Sequence, residues 1–212
     1  MTYYFGFATQ KHIYLAADRR RLGEAPTLEV DDTASKIHKV SRWSYLVGAG
    51  FMHFVDDTVA SQAGSVFGHD RLDLKIVEKG LPKLASQLKH AHAQLATQVG
   101  RPVAALPSRF TLVGIDTSNV PFSLGWTSDE GFQPLSKGPH AFSLPREPSE
   151  LADLGPMFGE LRKDVECGVS FNRVATGAAS IIAWVAQRDE MVSRSGDFIR
   201  LGGIRNRRVQ FH

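Results

Sequence analysis

The chain has 212 residues, 42% hydrophobic and 22% charged, proportions ordinary for a soluble globular protein and sufficient for the core of one large α/β domain. A formal net charge of +3 is too small to argue for a nucleic-acid partner, and the single cysteine, Cys167, excludes an internal disulfide framework and suits a reducing compartment. No apolar run approaches the roughly 20 residues of a membrane span, and the first residues lack the basic lead and cleavable apolar region of a secretory signal. The expectation is a cytoplasmic protein with no membrane partner.

Taken in order, Tyr3–Phe7 and His12–Ala17 are short apolar segments joined by Thr9-Gln10-Lys11, which predicts a strand hairpin. The charged stretch Arg19–Thr33, with Gly23 and Pro26, reads as a loop. Lys36–Val40 and Ser44–Val47 predict a second strand pair, broken at Ser41-Arg42-Trp43. Phe51, Phe54, Val55, Val59 and Val66 then fall at helical intervals. Leu84, Leu88, Ala91 and Leu95 predict a longer helix, with Pro82 marking a first turn or kink and Gly100 and Pro102 ending it.

Phe110–Asp116 reads as a buried strand paired with Phe122–Thr127, and Phe132–Leu135 and His140–Leu144 complete that sheet. Pro148-Ser149-Glu150 opens a helix that runs to Val165, interrupted near Gly155-Pro156. Ser170–Val192 carries Val174, Ala178, Ile181 and Val185 on one stripe, with Ile182 and Trp184 on others, which predicts a largely buried helix. Phe198–Leu201 and Val209–Phe211 read as closing strands. No repeat or low-complexity linker divides the chain, so residues 1–212 are read as a single domain. The order of strands, two helices, strands, two helices, strands fits two sheets packed face to face with helices outside. A three-layer α/β fold satisfies the same pattern.

Thr2 follows the initiator, and methionine is removed by aminopeptidases when the next side chain is small. The mature chain is then expected to start at Thr2, with a hydroxyl and a free α-amine on one residue. An α-amine has a reference pKa of about 7.7–8.0 and accepts a proton near neutrality. Pairing a threonine hydroxyl with it is one way to activate a weak nucleophile. Singly, each candidate has an ordinary reading: Thr2 as a tolerated second residue, Asp18 as a turn residue, Lys36 as a surface charge, Gly48 and Gly50 as turn glycines. Their order in combination points elsewhere.

Thr2, then Asp18 in Leu-Ala-Ala-Asp-Arg-Arg, then Ser35-Lys36-Ile37, then Gly48-Ala49-Gly50 resembles the β-type proteasome subunits and the bacterial HslV peptidase. Within that group the chain looks most like the bacterial proteasome homologues. The Thr-to-Asp and Lys-to-Gly intervals match the family, while the Arg20–Ala34 loop is longer than usual. The resemblance implies the four-layer αββα sandwich of N-terminal nucleophile (Ntn) hydrolases, an α/β (α+β) fold. It also implies a threonine-type endopeptidase working inside a chamber, with Thr2 as nucleophile and base, Lys36 favouring the alkoxide, Asp18 orienting Lys36, and the Gly50 N–H as oxyanion donor.

In the C-terminal half, Arg188-Asp189 followed by Ser195-Gly196 is similar to the family segment whose aspartate and serine brace the terminal threonine. Here Asp189 and Ser195 stand farther apart than usual, and Ser193 competes with Ser195. A further bracing serine maps to Ser136, although the family's Gly-Ser-Gly is absent. Gly48, Met52 and Asp56 stand at four-residue spacings and correspond to the pocket for the residue before the cleaved bond. Asp56 would receive a basic side chain or pair with a neighbouring cation.

Two other classes fit the same residues: an inactive ring-forming scaffold of this fold, and an Ntn-type amidase acting on a small amide. No P-loop glycine motif occurs, so any ATP-driven unfolding falls to a separate unfoldase. The expected partners are further copies of the chain in stacked rings, and unfolded polypeptide or peptide substrates. No cofactor and no metal are expected: His90 and His92, two apart on a helix, point to different faces. Arg205-Asn206-Arg207-Arg208 reads as a solvated tail or subunit contact rather than a nucleic-acid patch, and Cys167 as structural.

Overall fold

A computed structural model describes residues 3–22, 30–50, 61, 64, 71, 73–133, 137–138, 142–143, 148–203 and 205–212. The chain opens with β1 (Tyr4–Ala8) and β2 (Ile13–Asp18), an antiparallel pair in register from Tyr4↔Ala17 to Ala8↔Ile13. Thr9 closes the hairpin, its Oγ1 accepting from the backbone N–H groups of Lys11 and His12 at 3.3 and 3.0 Å. Where the sequence predicts a loop, β3 (Arg21–Leu22) and β4 (Val30–Asp31) form a short ladder of their own. β5 (Ile37–Ser41) and β6 (Ser44–Ala49) make the second hairpin. The helix expected over Phe51–Val66 lies outside the described residues, Ser61 and Gly64 apart.

Helix α1 (Leu74–Gln98) contains Pro82 rather than starting near it. A proline inside a helix costs about 3 kcal/mol. Here Leu81, Leu84, Ala85 and Leu88 bury one face against a sheet, and that burial outweighs the lost backbone bond. The end is as expected: Gly100 at φ +64 follows the last turn, with Arg101 N donating to Ala96 O and Gly100 N to Thr97 O, a Schellman pattern.

Strands β7 (Arg109–Ile115) and β8 (Pro121–Thr127) pair over their full length. The expected strand Phe132–Leu135 does not form in its described part. Gly131 and Phe132 take φ of 61° and 60°, and Phe132 N turns back to Thr127 O at 3.0 Å. Instead β9 (Lys137–Gly138) pairs with β8, and β10 (Phe142–Ser143) pairs with β1 in the other sheet. His140–Leu144 therefore does not complete the first strand set. The chain changes sheets between β9 and β10, a move that short strands without clear alternation do not announce.

Helix α2 (Pro148–Glu166) continues through Gly155-Pro156, where the sequence predicts an interruption. Leu154 and Leu161, on either side of the proline, are both buried and hold it in place. Helix α3 (Phe171–Ala186) starts at its cap Ser170 and stops short of the expected Val192. β11 (Gly196–Leu201) and β12 (Arg207–Phe211) end the chain.

The result is a mixed α+β chain with two antiparallel five-stranded sheets, ordered β10-β1-β2-β11-β12 and β5-β6-β7-β8-β9, and three helices among the described residues. Alternation within strands sorts the apolar residues into three clusters. Leu46, Phe110, Leu112, Phe122 and Trp126 pack with α1. Phe5, Tyr14, Ala16 and Phe198 pack with α2 and α3. Tyr4, Ile13, Leu15 and Ile199 of one sheet meet Val47, Val113 and Ile115 of the other. Tyr4 Oη lies 3.2 Å from Thr111 Oγ1 across that last contact. Its burial pushes the phenol up to about 12.

Candidate active site

Asp18 ends β2, where the strand is flanked by β1 and β11 and the carboxylate is removed from solvent. An isolated charge there would be prohibitive, so it must be paired and hydrogen-bonded. Lys36, itself 5% exposed, stands immediately before β5 and places Nζ 2.9 and 3.0 Å from the two carboxylate oxygens. Three backbone donors complete the shell. Oδ1 accepts from Tyr3 N at 2.7 Å, and Oδ2 from Arg20 N at 2.9 Å and Ser193 N at 3.2 Å. Asp18 N in turn donates to Tyr3 O at 3.0 Å. The residue that follows Thr2 is thus tied to Asp18 in both directions.

The glycines lie at the end of β6. Gly48 pairs with Phe110, and the β5–β6 register at Ile37↔Val47 ends one residue from Lys36 on one strand and from Gly48 on the other. Gly50 turns the chain away at φ +142. A Cβ there would lie 2.8 Å from Ser108 Oγ and 2.9 Å from Ser108 Cα, so this position admits only glycine. Thr2, Met52, Asp56 and Ser136 lie outside the described residues.

Asp189 follows α3 in a tight turn, its Oδ1 accepting from Met191 N at 2.9 Å. Of the two competing serines, Ser193 is buried, gives its backbone N–H to Asp18, and accepts from Ser195 N at 3.1 Å on its hydroxyl. Ser195 contributes its carbonyl, which accepts from Arg19 N at 2.9 Å.

The two arginines after Asp18 are more deeply involved than their sequence context indicates. Arg20 forms a two-point pair with Asp32 at 2.9 and 2.8 Å and donates to Glu190 O at 2.6 Å. Its hydrogen bonds hold the Asp32 carboxyl below the ordinary range against partial burial, with help from Ser193 and the Lys36 charge. Arg19 pairs at two points with Asp197, through Nε at 3.1 Å and Nη2 at 3.0 Å. Arg208 meets the same carboxylate at 3.2 and 3.0 Å. The signal is present in Asp18-Arg19-Arg20, but its partners sit far along the chain.

Among the described residues no group of His, Cys, Asp and Glu is arranged to hold a metal ion, and no helix is long and apolar enough to cross a membrane. His92 is buried, with Nε2 2.7 Å from Leu106 O, while His90 is exposed. Cys167 is exposed rather than a core residue, because it follows the last turn of α2. No family model matches the chain, and no curated protein matches it.

Proposed function

We propose that the chain is a threonine-type peptidase of the proteasome kind, built on the four-layer αββα sandwich of Ntn hydrolases, with Thr2 as nucleophile once Met1 is removed. The layer assignment is supported by the three apolar clusters, one of sheet with helix on each side and one between the sheets. The observation that carries the functional reading is the ring of contacts around Asp18. The amide joining residue 2 to Tyr3 is held on the same carboxylate oxygen as the Lys36 ammonium. Tyr3, the residue that follows Thr2 in the chain, is thereby held on a buried lysine–aspartate pair.

In this reading the Thr2 hydroxyl attacks the substrate carbonyl and passes its proton to the α-amine. The Lys36 ammonium stabilises the developing alkoxide and lowers the amine pKa by like-charge repulsion. Asp18 keeps Lys36 charged and aimed. The Gly50 N–H donates to the oxyanion, a contribution worth roughly 10²–10³ in rate for one such donor. Collapse of the tetrahedral adduct breaks the C–N bond, and the leaving amine takes the proton back from the α-ammonium. Water, deprotonated by the same amine, then hydrolyses the ester and frees Thr2.

The test is covalent. A β-lactone or epoxyketone probe should add to Thr2, located by peptide mass spectrometry, and intact mass should show Met1 absent. Thr2→Ala should abolish both labelling and turnover. A probe that reacts elsewhere, or a retained Met1, would remove the reading.

A further inference from the structure

Lys36 is not part of a strand: residues 32–36 belong to no ladder, and β5 begins only at Ile37. Something other than sheet hydrogen bonds must fix the backbone that aims the ammonium. The two residues flanking Ala34 are each held by an arginine. Arg19 Nη1 donates to Thr33 O at 3.1 Å, and Arg208 Nη2 donates to Ser35 Oγ at 2.6 Å. Ser35 Oγ also accepts from Ile37 N at 3.2 Å, so the hydroxyl brackets Lys36 between Arg208 and the start of β5. Both guanidiniums converge on the fully buried Asp197.

We infer that Asp197, Arg19 and Arg208 form a positioning device for Lys36, clamping residues 33–35 so that the ammonium stays on Asp18, the carboxylate that also holds the Tyr3 N–H. The inference deepens the peptidase reading and rests on it for its catalytic consequence, though not for its geometry. The shape of the guanidinium matters. One planar fork bridges a carboxylate and a hydroxyl at once, which a lysine ammonium at the same place does not reproduce. Arg208 is the accessible lever, because its side chain is 37% exposed against 8% for Arg19. Its removal still leaves Asp197 with the two Arg19 hydrogen bonds.

The experiment compares wild type, Arg208→Ala, Arg208→Lys and Ser35→Ala on the full chain, with two readouts. The first is acetylation of Lys36 by acetic anhydride, mapped by mass spectrometry against exposed Lys39. Wild-type Lys36 should be protected, and all three variants should lose that protection several-fold while their unfolding midpoints stay near wild type. Ser35→Ala keeps the Asp197 cluster and the Arg19 bond to Thr33 O intact and removes the Arg208 link to the lysine segment together with the hydroxyl's bonds to Ile37, so it separates positioning from folding. The second readout is peptide turnover and β-lactone labelling of Thr2. The variants should lose kcat, up to about 100-fold for a displacement of catalytic geometry, with KM little changed, and Arg208→Lys should not rescue. Unchanged Lys36 protection in both Arg208→Ala and Ser35→Ala overturns the inference. Loss of protection in the variants, with a wild-type Thr2 that the lactone never labels, upholds the clamp and sinks the peptidase reading instead.

Discussion

At the scale of single residues the site is a problem of compensating a buried charge. Asp18 has five donor contacts, two from Lys36 and three from backbone N–H groups. Lys36→Met leaves the carboxylate with the backbone donors alone. Breaking a buried pair on one side typically costs about 3–5 kcal/mol, and the surviving N–H groups place this case at the lower end, to be read by urea unfolding. Gly50→Ala should destabilise by roughly 1–3 kcal/mol, since the methyl meets Ser108 at a backbone angle that L-residues avoid. Its urea midpoint should fall while Gly100→Ala, at a φ of +64 but with open space around it, falls less.

Asp197 gives a pH signature at the same scale. Burial raises its carboxyl pKa, but the Arg19 hydrogen bonds and the Arg208 charge and hydrogen bond outweigh that and hold it below the ordinary value. A depressed folded-state pKa contributes stability that is complete above the unfolded value of about 3.9 and is lost as pH falls through the folded one. Thermal midpoints measured from pH 6 downwards should therefore drop on the acid side. Asp197→Asn should start lower and flatten that drop.

At the scale of elements the two helices over the β1–β2–β11 face carry glycines in opposite circumstances. At Gly155 and Gly159 on α2 an added Cβ would meet nothing within 4 Å, whereas at Gly177 on α3 it would lie 2.8 Å from Leu161 Cδ1. A glycine inside a helix costs about 0.5–1 kcal/mol relative to alanine. Gly159→Ala should raise the unfolding free energy by about that amount. Gly177→Ala should give less or reverse sign, because the buried Leu161 side chain must move to admit the methyl. The order of the two variants in denaturant midpoint checks the α2–α3 contact directly.

At the scale of the molecule, the proposed peptidase requires that its active site be hidden, since an open amino-terminal nucleophile would digest neighbouring proteins. Stacked rings of this chain are the assembly the proposal implies, and a single heterologous contact that closes is the usual route to a ring. Multi-angle light scattering at micromolar concentration should return a mass many times 23.3 kDa. A monomer there would remove the chamber from the proposal while leaving the Asp18 geometry untouched.

What the sequence determined by itself is most of the local structure and part of the site. Short apolar segments marked β1, β2, β5, β6, β7, β8 and β11, and three- and four-residue spacing marked α1 and α3, because both patterns express which residues of an element must leave water. Asp18, Lys36 and Gly50 were singled out by their order along the chain and the family resemblance it carries, since each residue type taken alone has an ordinary reading; the Lys36–Asp18 pairing itself is seen only in the fold. Tertiary structure alone decided the rest. Pro82 and Pro156 were admitted inside helices because packing outweighed a local penalty, and β9 and β10 were divided between sheets by strand pairing. Arg19 met Asp197 across 178 positions of sequence, a contact set by β11 lying between β2 and β12. Ion pairs of that span leave no periodicity in the chain, because the register that creates them is chosen only when the sheets assemble.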